Sequence, residues 1–162
     1  MFEGERPTGT KPQIYRELAL MAEGLFDGER DPIANAANLC ALLWLGLAEL
    51  NWVGFYFLRG SGLVLGPFQG KPACVRIEIG KGVCGSAAAN GKTLIVPDVE
   101  TFPGHIACDA ASRSELVVPL RDGARLIGVL DLDSPSHARF DAEDANGVEA
   151  LAALWVATSD RL

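Results

Sequence analysis

The chain has 162 residues, 49% hydrophobic and 22% charged, a balance that fits one folded domain and excludes wholesale disorder. A formal net charge of -7 excludes nucleic acid as a partner unless a basic patch intervenes; Arg113, Arg121 and Arg125, scattered among acids and apolar residues, make none. No apolar run is long enough to cross a bilayer and the first residues lack a signal-peptide core, so no membrane partner and a cytoplasmic location are expected.

Residues 1-10 are polar, with Gly, Pro and Thr, and read as a loose lead-in to a single domain over 11-162. From Lys11 to about Phe26, Ile14, Leu18, Met21 and Leu25 recur at helical spacing. Asp31-Pro32 opens a second helix, with Asp placed to cap it and Pro at its first position. Its buried stripe is read as Ile33, Ala36, Ala37, Cys40, Trp44 and Leu47.

At Asn51 the period changes to two. Over Asn51 to Leu58, Val53, Phe55 and Phe57 form one uniformly apolar face, expected under the helices. Trp52, Gly54 and Tyr56 form the other, where Gly54 leaves a gap the size of a small ligand slot between two rings. A turn at 59-62 leads into Leu63-Val64-Leu65 as a hairpin. Gly66 to Pro72 reads as a loop and Cys74 to Ile77 as a short strand.

Gly80-Lys-Gly82 opens a small-residue helix over Val83 to Ala89, ended by Asn90-Gly91. Leu94-Ile95-Val96 is a strand stopped by Pro97. Asp98 to Ser114 is a long irregular stretch of the kind more often functional than idle. Leu116 to Leu120 and Arg125 to Leu132 pair around Asp122-Gly123. After Phe140-Asp141 comes a closing helix with Val148, Leu151, Ala152 and Trp155 inward. The sum is an α+β domain: an antiparallel sheet of five or six strands with helices on one side.

Four cysteines in a reducing compartment read as free, metal-bound or catalytic. Cys40 lies in an apolar stripe and reads as a small buried hydrophobe. Cys74, Cys84 and Cys108 crowd the middle of the chain. Structural zinc favours close pairs such as C-x2-C, whereas nine and then twenty-three residues separate these thiols, with His105 as the available fourth ligand. Cys108 sits in the irregular stretch near His105, whose imidazolium would raise its thiolate fraction. A thiol reductase needs one cysteine to attack and a second to condense with the resulting sulfenic acid, and three cysteines could supply both. A cysteine hydrolase would also want a His base, but no hydrolase signature surrounds Cys108.

Glu115 begins one late strand; Asp131 and Asp133 end its partner, on the face shared with Val129. Two acids at a strand end are either a solvated exit or, with Glu115, the lining of a pocket. In a pocket, repulsion and burial would raise at least one pKa and leave a carboxyl able to donate a proton.

These residues fall in blocks that resemble the free methionine-(R)-sulfoxide reductases, which are stand-alone GAF-domain enzymes. The blocks are Asn51-Trp-Val-Gly-Phe-Tyr56, the run from Gly66 to Cys74, Gly80-Lys-Gly-Val-Cys-Gly-Ser-Ala-Ala88, Val96-Pro-Asp-Val99, the run from Phe102 to Glu115, and Gly128-Val-Leu-Asp-Leu-Asp-Ser134. The resemblance implies a GAF fold with a ligand pocket on the sheet face away from the helices. It implies thiol-dependent reduction of free L-methionine-(R)-sulfoxide, with Cys108 as nucleophile, Cys74 as the thiol that resolves the sulfenic acid as a disulfide, and thioredoxin as reductant. Cys84 matches a family cysteine and is open between auxiliary thiol, resolver and nucleophile. Glu115, Asp131 and Asp133 correspond to pocket carboxylates, and Trp52 and Tyr56 to an aromatic wall around the substrate methyl group. No cofactor and no metal are implied, and a homodimer is compatible with it. The rival readings are a non-catalytic GAF sensor, which has no need of three matched cysteines, and an inert scaffold, which leaves thiols and acids unexplained.

Overall fold

A computed structural model describes residues 5-105 and 109-162. Helix α1 (Lys11–Phe26) begins where the Thr10 amide donates to Gln13 Oε1 at 2.9 Å, supplying one of the acceptors a helix start lacks. Its buried stripe is Tyr15, Leu18, Ala22 and Phe26; Ile14, Met21 and Leu25, which share the helical spacing of Leu18, flank that stripe partly buried. Helix α2 (Pro32–Gly46) is capped as expected, the Asp31 carboxylate accepting from the Ile33 and Ala34 amides at 2.8 and 2.9 Å.

The face that α2 buries differs from the expected one. Ala36, Leu39, Cys40, Leu43 and Leu47 point inward, while Ile33 and Trp44 are 44% and 41% exposed and Ala37 is exposed too. Leu39, Leu42, Leu43, Trp44 and Leu45 wrap apolar surface around most of the helix, so two adjacent stripes satisfy the same spacing and packing decides between them.

Six antiparallel strands follow: β1 (Trp52–Arg59), β2 (Gly62–Gly70), β3 (Arg76–Glu78), β4 (Leu94–Val96), β5 (Ser114–Asp122) and β6 (Arg125–Ser134). Their order across the sheet is β3-β2-β1-β6-β5-β4. Between β3 and β4 runs the short helix α3 (Gly82–Asn90), closed by Gly91 at φ 62°, a left-handed cap that glycine adopts without strain. Helix α4 (Ala142–Thr158) closes the fold, with Val148, Leu151, Ala152 and Trp155 buried as expected.

The expected loop from Gly66 is instead the second half of β2. Opposite Phe55 alone stand Gly66 and Pro67, since Gly54 pairs with Phe68 and Tyr56 with Leu65. This bulge absorbs the proline, which has no N–H to give to a ladder. The short strand expected over 74-77 sits later, at Arg76–Glu78, leaving Cys74 ahead of it.

Alternation along the strands divides the core in two. Val53, Phe55 and Phe57 of β1, Leu116, Val118 and Leu120 of β5 and Leu130 and Leu132 of β6 pack under α1, α2 and α4. Trp52, Tyr56, Val117 and Val129 face the other way, where α3 lies over them with Val83, Cys84, Ala87 and Ala88. The three long helices thus share one face, and the short one roofs the other.

The termini of α1 and α4 are tied through a fully buried carboxylate. Asp144 accepts from Tyr15 Oη at 3.0 Å and from Arg139 Nη1 at 3.1 Å, and Lys11 Nζ closes on its second oxygen. Among the described residues, no helix is long and apolar enough to cross a membrane.

Candidate active site

On the face roofed by α3, the register of β1, β6 and β5 brings the three acids together. Asp133 pairs with Trp52 on one side and Glu115 on the other; one step along, Asp131 lies between Gly54 and Val117. Glu115 and Asp131 are each 6% exposed and line one pocket with Trp52, Tyr56, Cys84 and Asp133. The pocket reading of these acids therefore holds over the solvated-exit reading.

The walls are held by bonds that bridge elements. The Trp52 ring stacks on Tyr56 at 5.8 Å and on Phe68 at 5.5 Å between centroids. Trp52 Nε1 donates to the Lys71 carbonyl at 3.1 Å, and Tyr56 Oη donates to the Cys74 carbonyl at 3.0 Å. Both residues thus fasten the segment that carries Cys74 while lining the cavity. The gap expected at Gly54 is closed: a Cβ there would collide with the Trp52 ring and, at 2.5 Å, with Phe68 Cβ. Gly54 makes room for the indole, and the ligand space lies beyond it.

Opposite the rings, Cys84 Sγ donates to Glu115 Oε1 at 3.9 Å, and His105 Nε2 stands 3.8 Å from Glu115 Oε2. Asn51 Nδ2 donates to Ser112 Oγ at 3.0 Å and to Asp109 Oδ2 at 3.3 Å, while Lys71 Nζ pairs with Asp109 at 3.3 Å. Asp109 also accepts from the Ala111 amide at 2.9 Å, and this bond, helped by Asn51 and Lys71, holds its carboxyl below the usual range.

Burial dominates the electrostatics. It lifts the Asp131 carboxyl from the ordinary 3.8 to about 7, against the lowering effect of hydrogen bonds with Cys84 and Glu115. Glu115 and Asp133 are pushed well up, first by burial and then by the neighbouring acids. The Cys84 thiol is also raised well above its usual value, by burial and then by Asp131 and Glu115, so it carries its proton at neutral pH. Partial burial lowers His105, which disfavours the imidazolium form expected from the sequence.

Of the expected site residues, Trp52, Tyr56, Cys84, Glu115, Asp131 and Asp133 meet in one cavity. Cys74 packs partly buried at the margin of the same cluster and is disulfide-bonded. Cys108 lies outside the described residues. Cys40 is the buried thiol expected of it, its pKa pushed by burial to about 12. Sequence reasoning gave no role to Asn51, Lys71, Asp109 or Ser112. Their signal was present in the motif blocks, but a polar side chain that braces a loop looks like any other loop residue until its partners are known.

The GAF domain family matches residues 23-156. The Escherichia coli (strain K12) protein named free methionine-R-sulfoxide reductase is 50% identical over 143 residues, covering 88% of this chain and 87% of its own. The Saccharomyces cerevisiae protein of the same name is 45% identical over 153 residues, covering 89% and 84%. The X-ray structure of free methionine-R-sulfoxide reductase from Neisseria meningitidis in complex with its substrate superposes with a TM-score of 0.93 at 44% identity, over 98% of this chain and 95% of that one.

Proposed function

The chain belongs to the GAF-domain family, within its free methionine-R-sulfoxide reductases, and from that premise we propose that it reduces free L-methionine-(R)-sulfoxide to L-methionine with thioredoxin as electron donor. The observation that carries the reading is the cavity in which buried Glu115 and Asp131 and half-buried Asp133 share the lining with an aromatic wall anchored to the Cys74 segment. A sulfoxide is a poor electrophile until its oxygen is protonated, so the reaction calls for an acid that keeps its proton near pH 7. Asp131, raised to about 7, and its neighbours Glu115 and Asp133 supply one.

In the proposed cycle the Cys108 thiolate attacks the sulfoxide sulfur as the acid protonates the oxygen. Methionine leaves, the S–O oxygen stays with the enzyme, and Cys108 becomes a sulfenic acid. The Cys74 thiol then attacks the Cys108 sulfur, water departs, and a disulfide forms. The thioredoxin dithiol reduces that disulfide, so two electrons and two protons convert each sulfoxide to methionine and water. A remaining ionised carboxylate pairs with the substrate ammonium, a group that a methionine inside a peptide lacks, and this favours the free amino acid. The Trp52 and Tyr56 faces take up the methyl end. Cys84, protonated and donating to Glu115, is suited to an auxiliary role in this pocket and poorly suited to nucleophilic attack.

The test is NADPH consumption with thioredoxin, thioredoxin reductase and free methionine sulfoxide, followed by chiral analysis of what remains. Loss of the R epimer alone is expected; absence of turnover by folded, reduced protein would refute the proposal. Cys108→Ser should abolish even single-turnover methionine release. Cys74→Ser should release about one methionine per site and then stall, because its sulfenic acid has no resolver. A burst that survives Cys108→Ser and disappears in Cys84→Ser would reassign the nucleophile.

A further inference from the structure

Cys84, Glu115 and Asp131 bring a sulfur and two carboxylate oxygens within 4.8 Å of one another, all three residues buried. Cys84 is a free thiol. A second observation points to a missing occupant: Asp131 Oδ1, sealed from solvent in a residue only 6% exposed, has no hydrogen-bond partner among the described residues. A buried acceptor without a donor is costly and uncommon in a folded protein. His105 Nε2 stands 3.8 Å from Glu115 Oε2, outside this group of three.

One sulfur and two oxygens supply three of the four donors that a tetrahedral zinc ion takes, and water supplies the fourth. Donors on zinc bonds of roughly 2.0–2.3 Å stand about 3.3–3.8 Å apart, so three atoms already within 4.8 Å of one another would close by at most about 1.5 Å, within the reach of side-chain adjustment. In the sequence this set is hidden, because 30 and 15 residues separate Cys84, Glu115 and Asp131. It is also different from the trio of thiols with His105 that the sequence offers for zinc.

We propose that the reduced protein binds one zinc ion through Cys84 Sγ, Asp131 Oδ1 and a Glu115 carboxylate oxygen, and that this ion is a reversible inhibitor rather than a cofactor. Binding exchanges the Cys84 proton and those held by the carboxyls for the metal, with no change in oxidation state. The ion neutralises the negative charge that would pair with a substrate ammonium and occupies the acid that would protonate the sulfoxide. Metal capture stands on the geometry alone; inhibition rests on the proposed reductase activity.

The test uses cobalt(II) as a spectroscopic stand-in, titrated into the full chain after reduction with a phosphine and desalting. One equivalent should give tetrahedral d–d absorption and a thiolate-to-cobalt charge-transfer band, both abolished by zinc. The double variant Cys74→Ser/Cys108→Ser should keep the band, and Cys84→Ser should lose it. Asp131→Asn should weaken cobalt affinity by more than the roughly 10- to 100-fold that follows loss of an outer-shell partner. No binding, a band that survives Cys84→Ser, or a band lost in the double variant overturns the site. Should Cys84→Ser fail to fold, unchanged affinity in Asp131→Asn overturns it alone. In the coupled assay zinc should raise KM for the sulfoxide with kcat unchanged; bound zinc without that rise overturns the inhibitory role. A chain that shows the cobalt spectrum but turns over no sulfoxide would refute the reductase reading and leave the metal site standing.

Discussion

Asp131 shows how a single buried carboxyl links stability to chemistry. Its pKa is about 7 in the folded chain and near 3.8 once exposed, so between those values the folded state holds a proton that the unfolded state has released. Stability from this group is therefore full below about pH 4 and is lost as pH rises through about 7. Asp131→Asn removes that linkage, so the melting temperature of reduced protein, followed from pH 4 to 7, should fall less steeply in the variant than in the parent. An equally steep fall would mean that Asp131 ionises freely in the folded state. The parent accepts this cost at the site where the proposed reaction needs a proton, a trade common where activity and stability compete. The same site shows where residue-level reading stops. Periodicity placed Asp131 and Asp133 on one face, but only the register with β1 and β5 sets Asp133 between Trp52 and Glu115.

Among the elements, α2 buries a face other than the one its spacing predicts. Leu43 is fully buried and its neighbour Trp44 is 41% exposed, so their truncations should differ sharply. Leu43→Ala should cost about 2–5 kcal/mol in urea unfolding, and Trp44→Ala within about 0.5 kcal/mol of nothing. The reverse ranking would restore the stripe read from sequence. The closing helix and the strands were legible because polar residues mark their outer faces: Val148, Leu151, Ala152 and Trp155 have one helical face to share, and Val53, Phe55 and Phe57 one strand face. An apolar run such as Leu42 to Leu45 carries no such mark. The second half of β2 was hidden for a different reason. Gly66 and Pro67 look like a loop locally, and only the bulge opposite Phe55 lets the strand continue through them. The acids, the aromatic wall and Cys84 were legible as site residues. The brace of Asn51, Ser112 and Asp109 was not, because it joins residues 58 and 61 positions apart and exists only once the chain has folded.

At the scale of the whole molecule, the first and last helices are joined through the fully buried Asp144, which gathers Lys11 and Tyr15 of α1 and Arg139 of the segment before α4. Removing the carboxylate while leaving two cations in place should be severe: Asp144→Ala is expected to lose about 3–5 kcal/mol in equilibrium unfolding. A loss below about 1 kcal/mol would mean that the cations simply turn to solvent. The two faces of the sheet also separate the three tryptophans by environment. Trp155 is sealed beneath the helices, Trp44 faces water, and Trp52 lies in the cavity with its indole N–H on the Lys71 carbonyl, three residues before Cys74. A ring so placed is sensitive to both the contents of the pocket and the attachment of that segment. The protein therefore carries its own optical gauge, in which the emission of one indole follows occupancy and oxidation without any added label.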